Sequence, residues 1–108
     1  MSRAHRLSAV ILARDANQDV YCEAHTAEVD MMTVDHVMPR AVVTRGLAAD
    51  DDEPSNLVAA CGRCNSMKRD LTLPVFALYL MESHGWTVPQ ALAMMERVRA
   101  ATTRKVSK

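Results

Sequence analysis

The spacing of apolar residues changes several times along this chain, and each change marks an element. Leu7, Val10 and Ile11 recur at helical spacing, which predicts a helix over residues 3–14. The polar run Asp15-Ala16-Asn17-Gln18-Asp19 ends it as a turn. β-branched Val29, Thr33 and Val34 predict a short strand from Val29 to Asp35, and Pro39 stops it. A second strand is expected from Leu57 to Ala60, antiparallel to the first, and a short helix after it carries Asn65 and Lys68. Two further helices follow. Thr72 stands where a cap is needed for a helix running to His84, with Gly85 just past its end. Thr87 and Gln90 form a T-x-x-Q capping box for the last helix, with Val88, Leu92, Met95 and Val98 as its expected apolar stripe.

Between the two strands lies a long connection, Arg40 to Ser55. Val42, Val43 and Leu47 are its anchors, and Ala49-Asp50-Asp51-Asp52-Glu53-Pro54 reads as an acidic, solvated tip. A connection of that length in so small a domain tends to be functional or mobile. The basic tail from Arg104 to Lys108 is expected to fray.

Composition narrows the picture. A chain of 108 residues is read as one domain, residues 1–108, with 49% hydrophobic residues and a formal net charge of zero. The core must be small, because one Phe, one Trp and two Tyr are available, with eight Met as adaptable filler. Short chains commonly supplement such a core with a metal or a disulfide. Three Cys do not pair evenly, which favours a Cys/His metal site in a reducing compartment. Arg3 and Arg6 before the apolar run Leu7–Ala13 have the outline of an export leader. Arg14 and Asp15 end the run at once, so the expectation is a cytoplasmic protein with no membrane segment.

Candidate chemistry concentrates in one stretch, Val34 to Lys68, with one outlying pair. Cys22-x-x-His25 and Cys61-x-x-Cys64 supply four ligands from two knuckles, as a tetrahedral structural zinc requires. The alternative is a small core cysteine at 22 and a surface histidine at 25. Asp35 offers a hard oxygen ligand suited to Mg²⁺ or Mn²⁺. His36 is placed by strand alternation on the other face, where a neutral imidazole serves as a base for water. Asn65 is positioned to complete the divalent site, and Lys68, one turn along, to contact a phosphate. Singly, an Asp-His pair is more often a surface turn, and an Asn more often a helix cap.

Jointly, the pattern D-H-x-x-P, then N-L-V, then C-x-x-C-N-x-x-K closely resembles the HNH endonucleases over about residues 14–70. The resemblance implies an α+β fold: a ββα-metal core with a short antiparallel hairpin, zinc knuckles and flanking helices at both termini. The C-terminal helical extension occupies about residues 72–104. It also implies roles: Asp35 and Asn65 as ligands of a catalytic Mg²⁺ or Mn²⁺, His36 as general base, and Asn56 as the residue that orders the loop and orients the base. Zn²⁺ on Cys22, His25, Cys61 and Cys64 is implied to be structural. Three departures stand out: His25 replaces the usual second cysteine of the first knuckle, the loop before Asn56 is acidic where relatives are Gly-rich, and the last motif position is Asn.

The implied partner is double-stranded DNA, read with weak sequence specificity. Arg40, Arg63 and Lys68 are the expected phosphate contacts, with Arg45 and Arg69 nearby. Net charge of zero predicts weak intrinsic affinity, since phosphate contacts supply most non-specific binding. Weak affinity favours a homodimer or a larger phage or restriction assembly. The last helix, with Arg97, Arg99, Arg104 and Lys105, is read as a packing helix in preference to a DNA-tracking one. The competing reading is a zinc-stabilised binding module without catalysis.

Overall fold

The computed structural model describes residues 3–24, 31–39 and 53–106, with side chains from residue 6. Helix α1 spans Arg3–Arg14, as its spacing predicts, and buries Ile11 completely. Strand β1 is Met32–His36 and β2 is Leu57–Cys61, paired antiparallel with Asp35 opposite Val58 and His36 opposite Leu57. The expected start of β1 at Val29 lies outside the described residues. A single 3-10 turn, Pro54–Asn56, leads into β2.

All five residues of β2 are buried, so neither of its edges can be left to water. One edge pairs with β1. The other is closed by the segment that looked like a plain polar turn. Oδ2 of Asp15 accepts the Ala59 N–H at 2.8 Å, Oδ2 of Asp19 accepts the Cys61 N–H at 2.5 Å, and Val20 donates to the Ala59 carbonyl at 3.0 Å. Two acidic side chains thereby act as strand mimics, and each spares a buried N–H a cost of about 1–3 kcal/mol. Arg14 balances Asp15 through a two-pronged contact and also reaches the carbonyls of Pro54 and Leu57. The run 15–19 does end α1, but its two carboxylates face the interior.

Helix α2, Gly62–Lys68, begins directly at the end of β2. Helix α3, Leu73–His84, and helix α4, Val88–Thr103, pack on each other, and α4 also packs on β2. The Thr87–Gln90 capping box forms as the sequence predicts, and Gly85 takes the left-handed conformation (φ 69°) that closes α3. Thr72 occupies the N-cap position of α3, but its side chain makes no capping hydrogen bond.

The expected stripe on α4 is rotated. Ala91, Met94, Val98 and Ala101 face the core, while Val88 and Leu92 are 58% and 61% exposed. Small alanines let the helix approach closely, and the larger side chains are left at the flank. The core itself gathers Val20, Tyr21, Val58, Phe76, Leu80 and Met94, with the Tyr21 and Phe76 rings edge to face at 5.3 Å. Each large apolar side chain fully buried there contributes about 1.5–3 kcal/mol. Arg97, on α4, donates to the carbonyls of Val20 at 3.0 Å and Tyr21 at 2.6 Å, so this arginine holds the first knuckle in place.

Candidate metal centres

Two centres lie along α2. The sulfur centre forms where the 19–24 loop meets the β2–α2 junction. That loop is tight: the Asp19 N–H donates to the Ala24 carbonyl, the Glu23 N–H donates to the Asp19 carbonyl, and Glu23 adopts φ 68° to allow it. At the junction, Cys61 caps α2, its sulfur accepting the Cys64 N–H at 3.4 Å. The sulfurs of Cys22, Cys61 and Cys64 and a carboxylate oxygen of Asp19 all lie within 4.8 Å of one another.

The sulfurs of Cys22 and Cys61 are 3.9 Å apart. A disulfide needs about 2.05 Å, whereas two ligands of a tetrahedral zinc with bonds of ~2.3 Å sit about 3.8 Å apart. The spacing therefore matches a shared metal. Charge agrees with geometry. Asp19 is 0% exposed, accepts the N–H groups of Cys22 and Cys61, and has no counter-ion among the described residues. A hydrogen bond from Cys64 pulls the Cys22 thiol down to about 6, and the same contact, with burial, pushes the Cys64 thiol up. Burial raises Cys61 as well. Deprotonated sulfur is thus available at one vertex before any metal arrives, and a divalent ion would neutralise the cluster. A cavity of about 260 Å³ between Cys22, Arg63, Cys64, His84 and Trp86 gives the cluster an approach from solvent. His25 lies outside the described residues. Asp19 is the fourth group in the described structure, and its D-x-x-C spacing to Cys22 is the signal that points to it.

The oxygen centre forms between β1 and α2. Thr33 and Asp35 share one face of β1, and Asn65 and Lys68 share one face of α2. The two faces meet: the Asn65 amide donates to Thr33 Oγ1 at 3.5 Å, and Lys68 Nζ reaches Asp35 Oδ2 at 3.0 Å. Asn65 and Asp35 are thereby brought to one strand–helix seam. Asp35, 5% exposed, also accepts from the Tyr21 hydroxyl at 2.6 Å on the same Oδ2. Burial, and after it the Asp35 charge and hydrogen bond, hold the Tyr21 phenol well above its ordinary range, so it stays a donor. One carboxylate oxygen and one amide oxygen are hard donors of the kind Mg²⁺ and Mn²⁺ accept, with water completing the shell.

His36 is the last residue of β1 and is half-buried. The chain behind it is clamped from two sides. Lys68 Nζ donates to the His36 carbonyl at 2.8 Å. Asn56 accepts the Val37 N–H on its own carbonyl at 2.9 Å, and its side chain accepts the Met38 N–H at 2.7 Å and donates to the Met38 carbonyl at 3.1 Å. Asn56 thereby ties residues 37 and 38 to the start of β2.

Lys68 corrects the sequence reading. It is 0% exposed and spends its ammonium on Asp35 and the His36 carbonyl, so the expected phosphate contact is replaced by an interior ion pair. Arg63 is exposed on α2 with its guanidinium hydrogen-bonded to Cys22, which raises it above its usual value. Arg40 lies outside the described residues. Tyr21, Asp15, Asp19 and Arg97 were not singled out by sequence reasoning as site-building residues.

A strand pair and a helix enclosing a hard-oxygen seam, with a cysteine cluster at the strand–helix junction, define a small ββα-type α+β domain. Residues 20–71 match the family model of the HNH endonucleases. Over that segment the chain is similar to the HNH endonuclease family. No curated protein and no solved structure matches the chain. Among the described residues, no helix is long and apolar enough to cross a membrane.

Proposed function

We propose that this domain hydrolyses phosphodiester bonds of double-stranded DNA, with His36 taking the proton of the attacking water. The observation that carries the reading is the double clamp on the chain at His36: Asn56 holds residues 37 and 38 from the β2 side, and Lys68 holds the His36 carbonyl from α2. A base works when its ring is held against a fixed backbone, and positioned proton transfer contributes ~10²–10⁴-fold.

Asp35 and Asn65 are the residues that would hold a divalent cation, Mg²⁺ or Mn²⁺. When bound, such an ion neutralises a phosphate oxygen and stabilises the leaving 3′ oxygen. Lys68 already compensates Asp35, so the protein's own contribution to cation affinity is modest and the substrate phosphate supplies part of the coordination. Zn²⁺ serves structure alone, on Cys22, Cys61, Cys64 and a fourth donor that the chain offers twice, as Asp19 and as His25. With all four positions taken by protein, it has no vertex for water. Net charge of zero agrees with weak, sequence-tolerant DNA binding that a second copy or a larger assembly would strengthen.

The test is plasmid nicking with Mg²⁺ or Mn²⁺. His36→Ala is expected to lose ~10²-fold or more of the rate while zinc content and melting temperature stay at wild-type values. Wild-type nicking by His36→Ala would remove the proposed base.

A second reading is a zinc-stabilised binding module without catalysis, and the Lys68–Asp35 ion pair is what favours it, because the oxygen centre is balanced without any added ion. Gel-shift in Ca²⁺ together with no cutting across Mg²⁺, Mn²⁺ and EDTA would select it.

A further inference from the structure

The geometry points to Tyr21 and Lys68 as positioning residues of the oxygen centre, which hold Oδ2 of Asp35 so that Oδ1 alone is presented to a divalent cation. The inference rests on the nuclease reading above and adds how the ligand is aimed.

Both contacts fall on one oxygen: the Tyr21 hydroxyl at 2.6 Å and the Lys68 ammonium at 3.0 Å. Oδ1 has no partner among the described residues. Two donors arriving from different elements fix the carboxylate plane, where one would leave it free to pivot. Each donor is itself immobilised. Tyr21 is 0% exposed, stacked edge-on against Phe76, and held at its carbonyl by Arg97. Lys68 is 0% exposed at the end of α2 and is bound a second time by the His36 carbonyl. With Oδ2 saturated, Asp35 is a one-oxygen ligand, and its orientation is tied to the residue next in sequence, the proposed base.

Tyr21 also immediately precedes Cys22, so the same short segment anchors the sulfur centre and aims the oxygen centre. Ligating carboxylates are commonly held by such outer partners, whose loss costs ~10–100-fold in metal affinity.

The experiment is Mn²⁺ binding followed by EPR on the full-length, zinc-loaded protein without DNA, comparing wild type, Tyr21→Phe and Asp35→Asn. Tyr21→Phe is expected to bind Mn²⁺ ~10–100-fold more weakly with unchanged zinc content, and its nicking rate is expected to approach wild type at saturating Mn²⁺. An affinity within twofold of wild type overturns the positioning role while leaving the cation site standing. Wild type that binds no better than Asp35→Asn overturns the site and the nuclease reading together. A measurement on the unaltered protein guards against misfolding of the variant: the Tyr21 hydroxyl proton, protected by its short bond, is expected to shift in NMR spectra on titration with Mg²⁺. No shift at saturating Mg²⁺ overturns the proposal.

Discussion

Asp19 and Asp35 are almost equally enclosed, at 0% and 5% exposure, yet the fold compensates them in different ways. Asp35 has an ammonium at 3.0 Å and a phenol at 2.6 Å, so its charge is balanced by the chain itself. Asp19 has two backbone N–H groups and three thiols around it, with no counter-ion among the described residues. Burying an unpaired carboxylate is costly, and at Asp19 a bound cation would lower that cost. The contrast separates two uses of metal in one small domain. The sulfur centre leaves its buried charge uncompensated by the described residues, whereas the oxygen centre is balanced by the chain itself.

Removing zinc should have the largest effect. Structural zinc contributes an apparent ~10–16 kcal/mol in small modules, about as much as or more than the ~5–15 kcal/mol a whole domain has in hand. A zinc-selective chelator is therefore expected to abolish the cooperative thermal transition in circular dichroism. A melting curve indifferent to the chelator would erase the distinction between the centres.

Lys68→Met comes next. It strands Asp35 as a buried, uncompensated charge and is expected to cost about 3–5 kcal/mol in urea denaturation. Adding Asp35→Asn to it should recover at least ~1 kcal/mol, since contacting partners couple. Strict additivity would mean that the pair is not the balance described.

The smallest effect is one of pH. The Cys22 thiol is lowered from 9.0 to about 6 by its hydrogen bond from Cys64. A depressed value stabilises the folded state above the unfolded value and loses that contribution as pH falls through the folded one. Zinc needs deprotonated sulfur, so it should be released on acidification, read by a colorimetric zinc dye. Zinc content that does not fall on acidification would contradict thiolate ligation.

Much of the fold was legible because it is written locally. Helix α1, the Thr87–Gln90 box, the Gly85 terminator and the short hairpin each follow from residues a few positions apart. On α4 side-chain size is a poor guide to burial. The close approach of the helix instead selected Ala91 and Ala101 for the interior. Asp15 and Asp19 read only as parts of a polar turn for a similar reason, since nothing nearby in sequence shows that β2 has a bare edge to be satisfied by carboxylates.

What the sequence settled alone was the inventory and its spacing: a D-H pair ending a strand, an asparagine before the next strand, and C-x-x-C-N-x-x-K opening a helix. These are short-range relations, fixed by the periods of strand and helix. What only the tertiary structure decided was the partner of each charge. Lys68 lies 33 positions from Asp35 in the chain, and Asp19 lies 42 from Cys61. Whether a long cationic side chain reaches solvent or turns inward depends on what is packed over it, and that is settled when β1, α2 and the 19–24 loop close around one another.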